Sequence, residues 1–155
     1  RPYRVPPLLK EWTQVLPGGA VILDLGCGPG QDSRYLRREG FRPIALDGAW
    51  PFLLHARRRA RRLSLVMADL ESLPFHSEAF DAVWAAASLI HLPKRKLHRV
   101  LVALRHSQSS MRCASRSNTK CWCCFISRLK GALTSRMNGF LNNFATARPA
   151  QVDSA

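Results

Sequence analysis

The chain has 155 residues, a formal net charge of +14, and a hydrophobic share of 46%. This length is typical of a single domain that can bury a working core. No run of about 18 apolar residues and no secretory signal pattern is present, so neither membrane insertion nor secretion is indicated. We therefore expect a cytoplasmic protein without a membrane partner, and its oligomeric state stays open.

The predicted secondary structure alternates between helices and strands. Strands are predicted at residues 20–25, 42–46, 63–68 and 80–87, and helices at residues 8–16, 31–39, 53–62 and 94–105. Strands joined through helices make right-handed crossovers, which give a parallel sheet covered on both faces. The fold class is therefore α/β, an open, mostly parallel, Rossmann-like sheet with helices on both faces.

The regular pattern stops near Arg105, so we divide the chain into a core at residues 1–105 and an atypical basic tail at residues 106–155. The tail is expected to be irregular or weakly helical, with the C-terminal strands of the sheet missing or irregular. After Asp81 the only acidic residue is Asp153. A reading-frame slip near Arg105 explains both anomalies, because the shifted codons from Lys120 onwards spell a hydrophobic strand. The alternative to the slip is a genuine divergent basic tail. For the function of the whole chain, a nonfunctional translated remnant is a further hypothesis.

The charge and the cysteines raise two further kinds of site. Five arginines between residues 57 and 62 could contact nucleic-acid phosphates, although a solvated helix face explains them as well. Four of the five cysteines cluster between residues 113 and 124, without the paired CxxC spacing of zinc ligands. We predict no metal site, and a basic nucleic-acid-binding module is the alternative function.

The segment VILDLGCGPG crowds three glycines into the loop after the first buried strand. Gly26, Gly28 and Gly30 can adopt backbone angles closed to other residues and let a ligand approach the chain. A dinucleotide-binding GxGxxG would need glycine in place of Gln31. Asp47, at the end of the second strand, suits the hydroxyls of a ribose because a carboxylate only accepts hydrogen bonds. The predicted ligand carries a ribose and no pyrophosphate.

Four segments in this order resemble the class I S-adenosylmethionine-dependent methyltransferases. They are VILDLGCGPG, ALD at 45–47, MADLESLPF at 67–75 and FDAVWAAASLIHLP at 80–93. The resemblance covers roughly residues 15–105. It implies a methyltransferase with S-adenosylmethionine as cofactor and a small-molecule acceptor as substrate.

The resemblance also implies a cofactor site. Its residues are Asp24, Gly26, Cys27, Gly28, Gly30, Asp47, Gly48, Asp69, Leu70 and Ala86. Asp24 and the loop glycines would surround the methionine part, and Asp47 would hold the ribose. Asp69 and the backbone of Leu70 would meet the adenine, and the chain near Ala86 would lie beneath the sulfonium.

Several of these residues have simpler interpretations. Asp24 and Asp69, taken singly, could be turn formers at strand ends. Cys27 is expected to be a small buried filler rather than a nucleophile. Gly48 departs from the family by lacking a side chain to pack on the adenine, and Trp50 either replaces that side chain or belongs to the core. His91 is the candidate catalytic base, with a helix-entry or core histidine as the alternative.

Overall fold

The computed structural model describes residues 3–86 and 88–107. The expectations for the tail beyond residue 107, including the reading-frame slip and the late cysteines, lie outside these residues and stay predictions. Among the helices in this part of the chain, none is long and apolar enough to cross a membrane.

Nine short elements make up the described chain. They are α1 (Pro7–Thr13), β1 (Val21–Leu25), α2 (Gln31–Arg38), β2 (Arg42–Asp47), α3 (Trp50–Arg59), β3 (Ser64–Met67), β4 (Ala82–Trp84), the 3-10 helix η1 (Leu89–His91) and α4 (Lys94–Ser107). Glycines mark both ends of α2, because Gly30 precedes it with φ of 72° and Gly40 follows it with φ of 88°. The predicted alternation of strands and helices is confirmed.

The four strands form one parallel sheet with the order β3-β2-β1-β4. The chain starts at β1, moves outward to β3, and then returns to the other side of β1. Asp24 of β1 pairs with Ala45 of β2 on one side and with Trp84 of β4 on the other. The strand order therefore reverses between β1 and β4, which is where open α/β sheets bind ligands.

The core lies along β1, where consecutive residues are buried. Ile22, Leu23 and Leu25 are each 0% exposed. Neighbouring residues of a strand point to opposite faces, so burial of both sets means that both faces of the sheet are covered. The predicted open α/β fold is confirmed.

The largest differences from the predicted element boundaries are at β4, α3 and α1. β4 covers residues 82–84 rather than 80–87, because the N–H of Phe80 donates to Ser107 at the end of α4 and the chain leaves the sheet after Trp84. α3 begins at Trp50, with Pro51 in its first turn, instead of near residue 53. α1 ends at Thr13 rather than at residue 16.

Candidate functional site

The loop after β1 is bonded to the end of β2. The N–H groups of Gly26 and Cys27 both donate to the carbonyl of Leu46, at 2.8 and 2.9 Å. The N–H of Gly28 donates to Oδ2 of Asp47 at 2.8 Å. The structure therefore brings the glycine loop and the predicted ribose-binding carboxylate together.

The three loop glycines all have positive φ but differ in their surroundings. A Cβ at Gly26 would lie 2.4 Å from the Cβ of Ser88, and a Cβ at Gly30 would lie 2.9 Å from the Cβ of Ala56. A Cβ at Gly28 would meet no atom within 4 Å. Gly26 and Gly30 thus allow close packing within the protein, whereas Gly28 faces open space that a ligand can enter.

Both oxygens of the Asp47 carboxylate accept backbone hydrogen bonds. Oδ2 accepts from Gly28 and Oδ1 accepts from the N–H of Ala49, each at 2.8 Å. The side chain stays partly exposed. Each carboxylate oxygen has two lone pairs, so each can accept one more hydrogen bond from a ligand hydroxyl. The two backbone bonds hold the carboxylate in a fixed orientation for this role.

Asp24 is buried, and its carboxylate faces α2. The hydroxyl of Ser33 donates to Oδ2 of Asp24 at 2.5 Å. Burial raises the pKa of Asp24 to about 7, and the negative charges of Asp32 and Asp47 act in the same direction while the Ser33 hydrogen bond opposes them. The hydrogen bond between Asp24 and Ser33 therefore joins β1 to α2.

Asp32, in the first turn of α2, accepts hydrogen bonds from two aromatic side chains. The indole Nε1 of Trp84 donates to Oδ2 at 2.7 Å, and the hydroxyl of Tyr3 donates to Oδ1. Burial and the neighbouring Asp32 raise the pKa of Tyr3. The ring of Trp12 also lies 5.4 Å from that of Trp84, centroid to centroid. The N-terminal segment is thereby attached to the ends of β4 and α2.

The predicted adenine-binding residues lie at the end of β3. Oδ1 of Asp69 accepts from the N–H of Glu71 at 2.9 Å, and the carbonyl of Asp69 accepts from Ser72. Asp69 is therefore a turn former whose side chain remains exposed, and its bond is to its own turn rather than to the glycine loop. Gly48 is exposed, and a Cβ there would lie 3.6 Å from the carbonyl oxygen of Ala68.

Leu70 and Trp50 are the remaining residues that the sequence connects with the adenine. Leu70 follows Asp69 and is half-buried. The side chain of Trp50 is 60% exposed, so the alternative in which it belongs to the core is wrong, and its packing on the adenine stays a prediction. Trp50 opens α3, where its ring projects into solvent instead of joining the buried face of the helix.

Cys27 packs in a buried cluster with Ala45 and Leu53. Burial raises the pKa of its thiol, and the charges of Asp24 and Asp47 reinforce that shift. A thiol held protonated is a poor nucleophile. The geometry fits the interpretation of Cys27 as a filler.

The segment after β4 contains Ser88, a buried polar residue that is not among the predicted site residues. Ala86 is exposed, and His91 closes η1 with a side chain outside the described part of the structure. His91 as a base therefore stays a prediction. Ser88 is buried, and its hydroxyl has no hydrogen-bond partner among the described residues. The available signal was a single polar residue in the apolar segment AAASLI.

The arginine-rich end of α3 is exposed. Arg57 donates from Nη1 to the carbonyls of Arg61 at 2.9 Å and Leu63 at 3.3 Å, and Arg37 donates to the carbonyl of Arg62. Some of these guanidinium groups thus stabilise the turn before β3. Binding of nucleic acid by this segment stays a prediction.

A family profile for a methyltransferase domain matches residues 22–108. The chain belongs to this methyltransferase family. A malonyl-[acyl-carrier protein] O-methyltransferase of Salmonella typhimurium is 44% identical over 66 residues, which are 43% of this chain and 26% of that protein. Methyltransferase GfsG of Streptomyces halstedii is 36% identical over 84 residues, or 50% of this chain and 30% of that protein.

A solved structure of similar fold is an S-adenosylmethionine-dependent methyltransferase from Mesorhizobium loti. It superimposes with a TM-score of 0.58 at 26% identity, covering 64% of this chain and 48% of the other. The chain thus spans between a quarter and a third of these two curated relatives and about half of the solved structure. The expected family and its cofactor, S-adenosylmethionine, are confirmed.

Proposed function

We propose that the chain binds S-adenosylmethionine and transfers its methyl group to a small-molecule acceptor. The observation that carries this proposal is the pair formed by Asp47 and Gly28 at the carboxyl ends of β2 and β1. An oriented carboxylate with two free lone pairs lies beside a glycine whose side-chain position is open. This combination fits a ribose held by its hydroxyls while the rest of the ligand passes close to the backbone.

The family resemblance implies a direction of the ligand along the sheet. With the ribose at Asp47 on β2, the adenine would extend toward β3, where Asp69 and Leu70 lie. The methionine part would extend over Gly28 toward Asp24 on β1 and the chain at Ala86 after β4. The order β3-β2-β1-β4 is compatible with these assignments and supports the proposal.

S-adenosylmethionine, when bound, supplies a methyl group on a positively charged sulfur. The protein's own contribution is then to align the acceptor with that carbon and to exclude water. A general base is needed only when the acceptor must lose a proton, and His91 is the residue we propose for that case. Localisation in the cytoplasm remains part of the same proposal.

The name of the Salmonella relative indicates which acceptor to test first. That protein is named for methylation of a malonyl group on a carrier protein. A malonyl carboxylate is already deprotonated at neutral pH, so its methylation needs no base. We therefore propose malonyl thioesters as the first acceptors, with transfer of labelled methyl from S-adenosylmethionine as the assay. His91→Ala should keep its activity with this acceptor and lose it with an acceptor that must be deprotonated before methyl transfer. This pair of results would support malonyl thioesters as acceptors and His91 as the general base.

The proposal is tested by calorimetric titration of the full chain with S-adenosylhomocysteine. Asp47→Ala removes the carboxylate and should weaken binding at least tenfold. Asp81→Ala is the matched control, because Oδ2 of Asp81 also accepts a backbone N–H, from Val21 at 2.8 Å, but at the opposite end of β1. This control should leave the dissociation constant within about twofold in the folded fraction. A folded wild-type chain that does not bind the probe contradicts the proposal.

A further inference from the structure

Helix α3 carries exposed aromatic residues at its start and arginines at its end. Trp50 and Phe52, in the first turn, are 60% and 51% exposed. Five exposed arginines occupy the last turn and the link to β3: Arg57, Arg58, Arg59, Arg61 and Arg62. No acidic residue stands between Asp47 and Asp69 in the sequence. The helix therefore presents large rings and concentrated positive charge to the solvent.

The arginines of α3 differ in whether the fold uses their side chains. Arg57 donates to two backbone carbonyls of the turn that follows, so its guanidinium group stabilises that turn. The side chains of Arg58 and Arg59 make no hydrogen bond or ion pair with other described residues. Guanidinium groups bind phosphates through paired N–H donors. Arg58 and Arg59 are therefore available to a phosphate-bearing partner.

The placement of the aromatic rings distinguishes between two such partners, a lipid surface and a nucleic acid. A helix that lies on a membrane needs its apolar side chains on one face. Trp50 and Phe52 are two residues apart, so they point about 160° apart around the helix axis. The two rings therefore cannot enter one lipid surface together. A single nucleic-acid strand needs only one ring for each stacked base, with arginines along its phosphates.

Phe52 and Arg59 lie on the same side of α3. They are two helical turns apart, about 10 Å along the axis, so one strand can contact the ring and the guanidinium group together. The arginines precede β3 and therefore lie toward the amino ends of the strands, whereas Asp47 lies at the carboxyl end of β2. This surface is thus separate from the candidate cofactor site.

We propose that α3 binds single-stranded nucleic acid, with a base stacked on Phe52 and phosphates bound by Arg58 and Arg59. This activity goes beyond the proposed methyl transfer and does not depend on it. Stacking and phosphate contacts respond differently to salt. Phosphate contacts release counterions and weaken as the salt concentration rises, whereas stacking on a neutral ring releases none.

The test measures how the full chain binds a fluorescein-labelled oligothymidylate of about 12 nucleotides, by anisotropy at several salt concentrations. Arg58→Gln/Arg59→Gln removes two charges and keeps helix propensity. The plot of log K against log salt concentration should become shallower by about 0.7 for each arginine. Phe52→Leu removes the ring and keeps an apolar side chain, so affinity should fall about tenfold with the slope unchanged.

Arg95→Gln/Arg99→Gln is the matched control, because it removes two exposed arginines from a different helix, α4. Its affinity should stay within about twofold of wild type, since only arginines that contact phosphates release counterions.

Several results would overturn the proposal. Equal losses in the two arginine pairs would mean that net charge alone attracts the strand. Unchanged affinity of Phe52→Leu, with a circular dichroism spectrum like that of wild type, would mean that no base stacks on this ring. If Phe52→Leu does not fold, the comparison of the arginine pairs decides alone. Sedimentation with phosphatidylserine vesicles tests the lipid surface, and a wild type that binds vesicles but not oligothymidylate contradicts the proposal.

Discussion

The carboxylate of Asp47 accepts a hydrogen bond from the N–H of Gly28 across 2.8 Å, which joins the end of β2 to the loop after β1. The second carboxylate oxygen is occupied in the same way by Ala49. The orientation of the predicted ribose-binding group is thus set by the backbone of two different segments. The conformation of the glycine loop and the orientation of the Asp47 carboxylate therefore depend on each other.

Asp47→Asn should therefore lower stability as well as ligand affinity. An amide has one acceptor oxygen, so its NH2 group would face one of the two backbone N–H donors. We expect a loss of about 1–3 kcal/mol in the free energy of unfolding, measured by urea denaturation, together with at least tenfold weaker S-adenosylhomocysteine binding. Asp69→Asn is the control for stability, because its single bond to Glu71 needs only one acceptor. Equal stabilities of wild type and Asp47→Asn would contradict the role of this carboxylate.

Substitution of the loop glycines by alanine should separate packing from ligand access. Gly28→Ala places a methyl group in open space, so the free energy of unfolding should fall only by the strain of the positive φ of 52°, about 1 kcal/mol. Ligand binding should be lost, because the methyl group fills the space that the ligand would enter. Gly26→Ala should destabilise more, because its new Cβ would overlap Ser88. Gly18→Ala, with open surroundings and no positive φ, should be close to neutral. Thermal unfolding and calorimetry measure the two effects, and undiminished ligand binding by Gly28→Ala would argue against the open space as a ligand site.

The buried carboxyl of Asp24 predicts a stability that falls as the pH rises. Its pKa is raised from 3.8 to about 7 in the folded chain, so the folded state holds a proton that the unfolded state releases. The stabilisation from this proton is fully present below about pH 4 and is lost as the pH rises to about 7. Over that range the free energy of unfolding should fall by at most about 1.4 kcal/mol per pH unit. Asp24→Asn removes the titration. The difference in unfolding free energy between the variant and wild type should change across this range, and a constant difference would count against the shift.

The contacts of Asp32 predict how the N-terminal segment is held. Tyr3→Phe removes one hydrogen bond and should cost about 1 kcal/mol, whereas Asp32→Ala removes the bonds from both Tyr3 and Trp84 and should cost about 2–3 kcal/mol. Hydrogen exchange of α1 should accelerate in both variants. Arg4→Ala, on the exposed neighbour of Tyr3, is the control. Unchanged exchange in Asp32→Ala would mean that this segment is held elsewhere.

Sequence alone was sufficient for the order of the elements and for the loop of the site. Buried parallel strands are continuous apolar runs, and the positive φ of Gly26 and Gly28 requires glycine, so both features leave local signals. The position of Asp47 at the end of β2 could also be predicted locally, because the apolar run of the strand stops at this residue.

Other features depend on contacts between segments distant in the chain, and local patterns do not report them. The early end of β4 follows from α4, whose last residue accepts the hydrogen bond of Phe80. The exposure of Trp50 depends on which side of α3 meets the sheet. The burial of Ser88 depends on its contact with Gly26, a residue distant in the chain.

The close approach of Gly30 to Ala56 has a consequence for how this loop can diverge. A Cβ at position 30 would lie 2.9 Å from the Cβ of Ala56. A larger side chain at position 56 would therefore need the same space that a Cβ at position 30 would fill. A gain in size at either residue therefore requires the other to stay small. Among relatives with this loop, we expect the two positions to vary together, so that the interior of α3 constrains the loop that precedes α2.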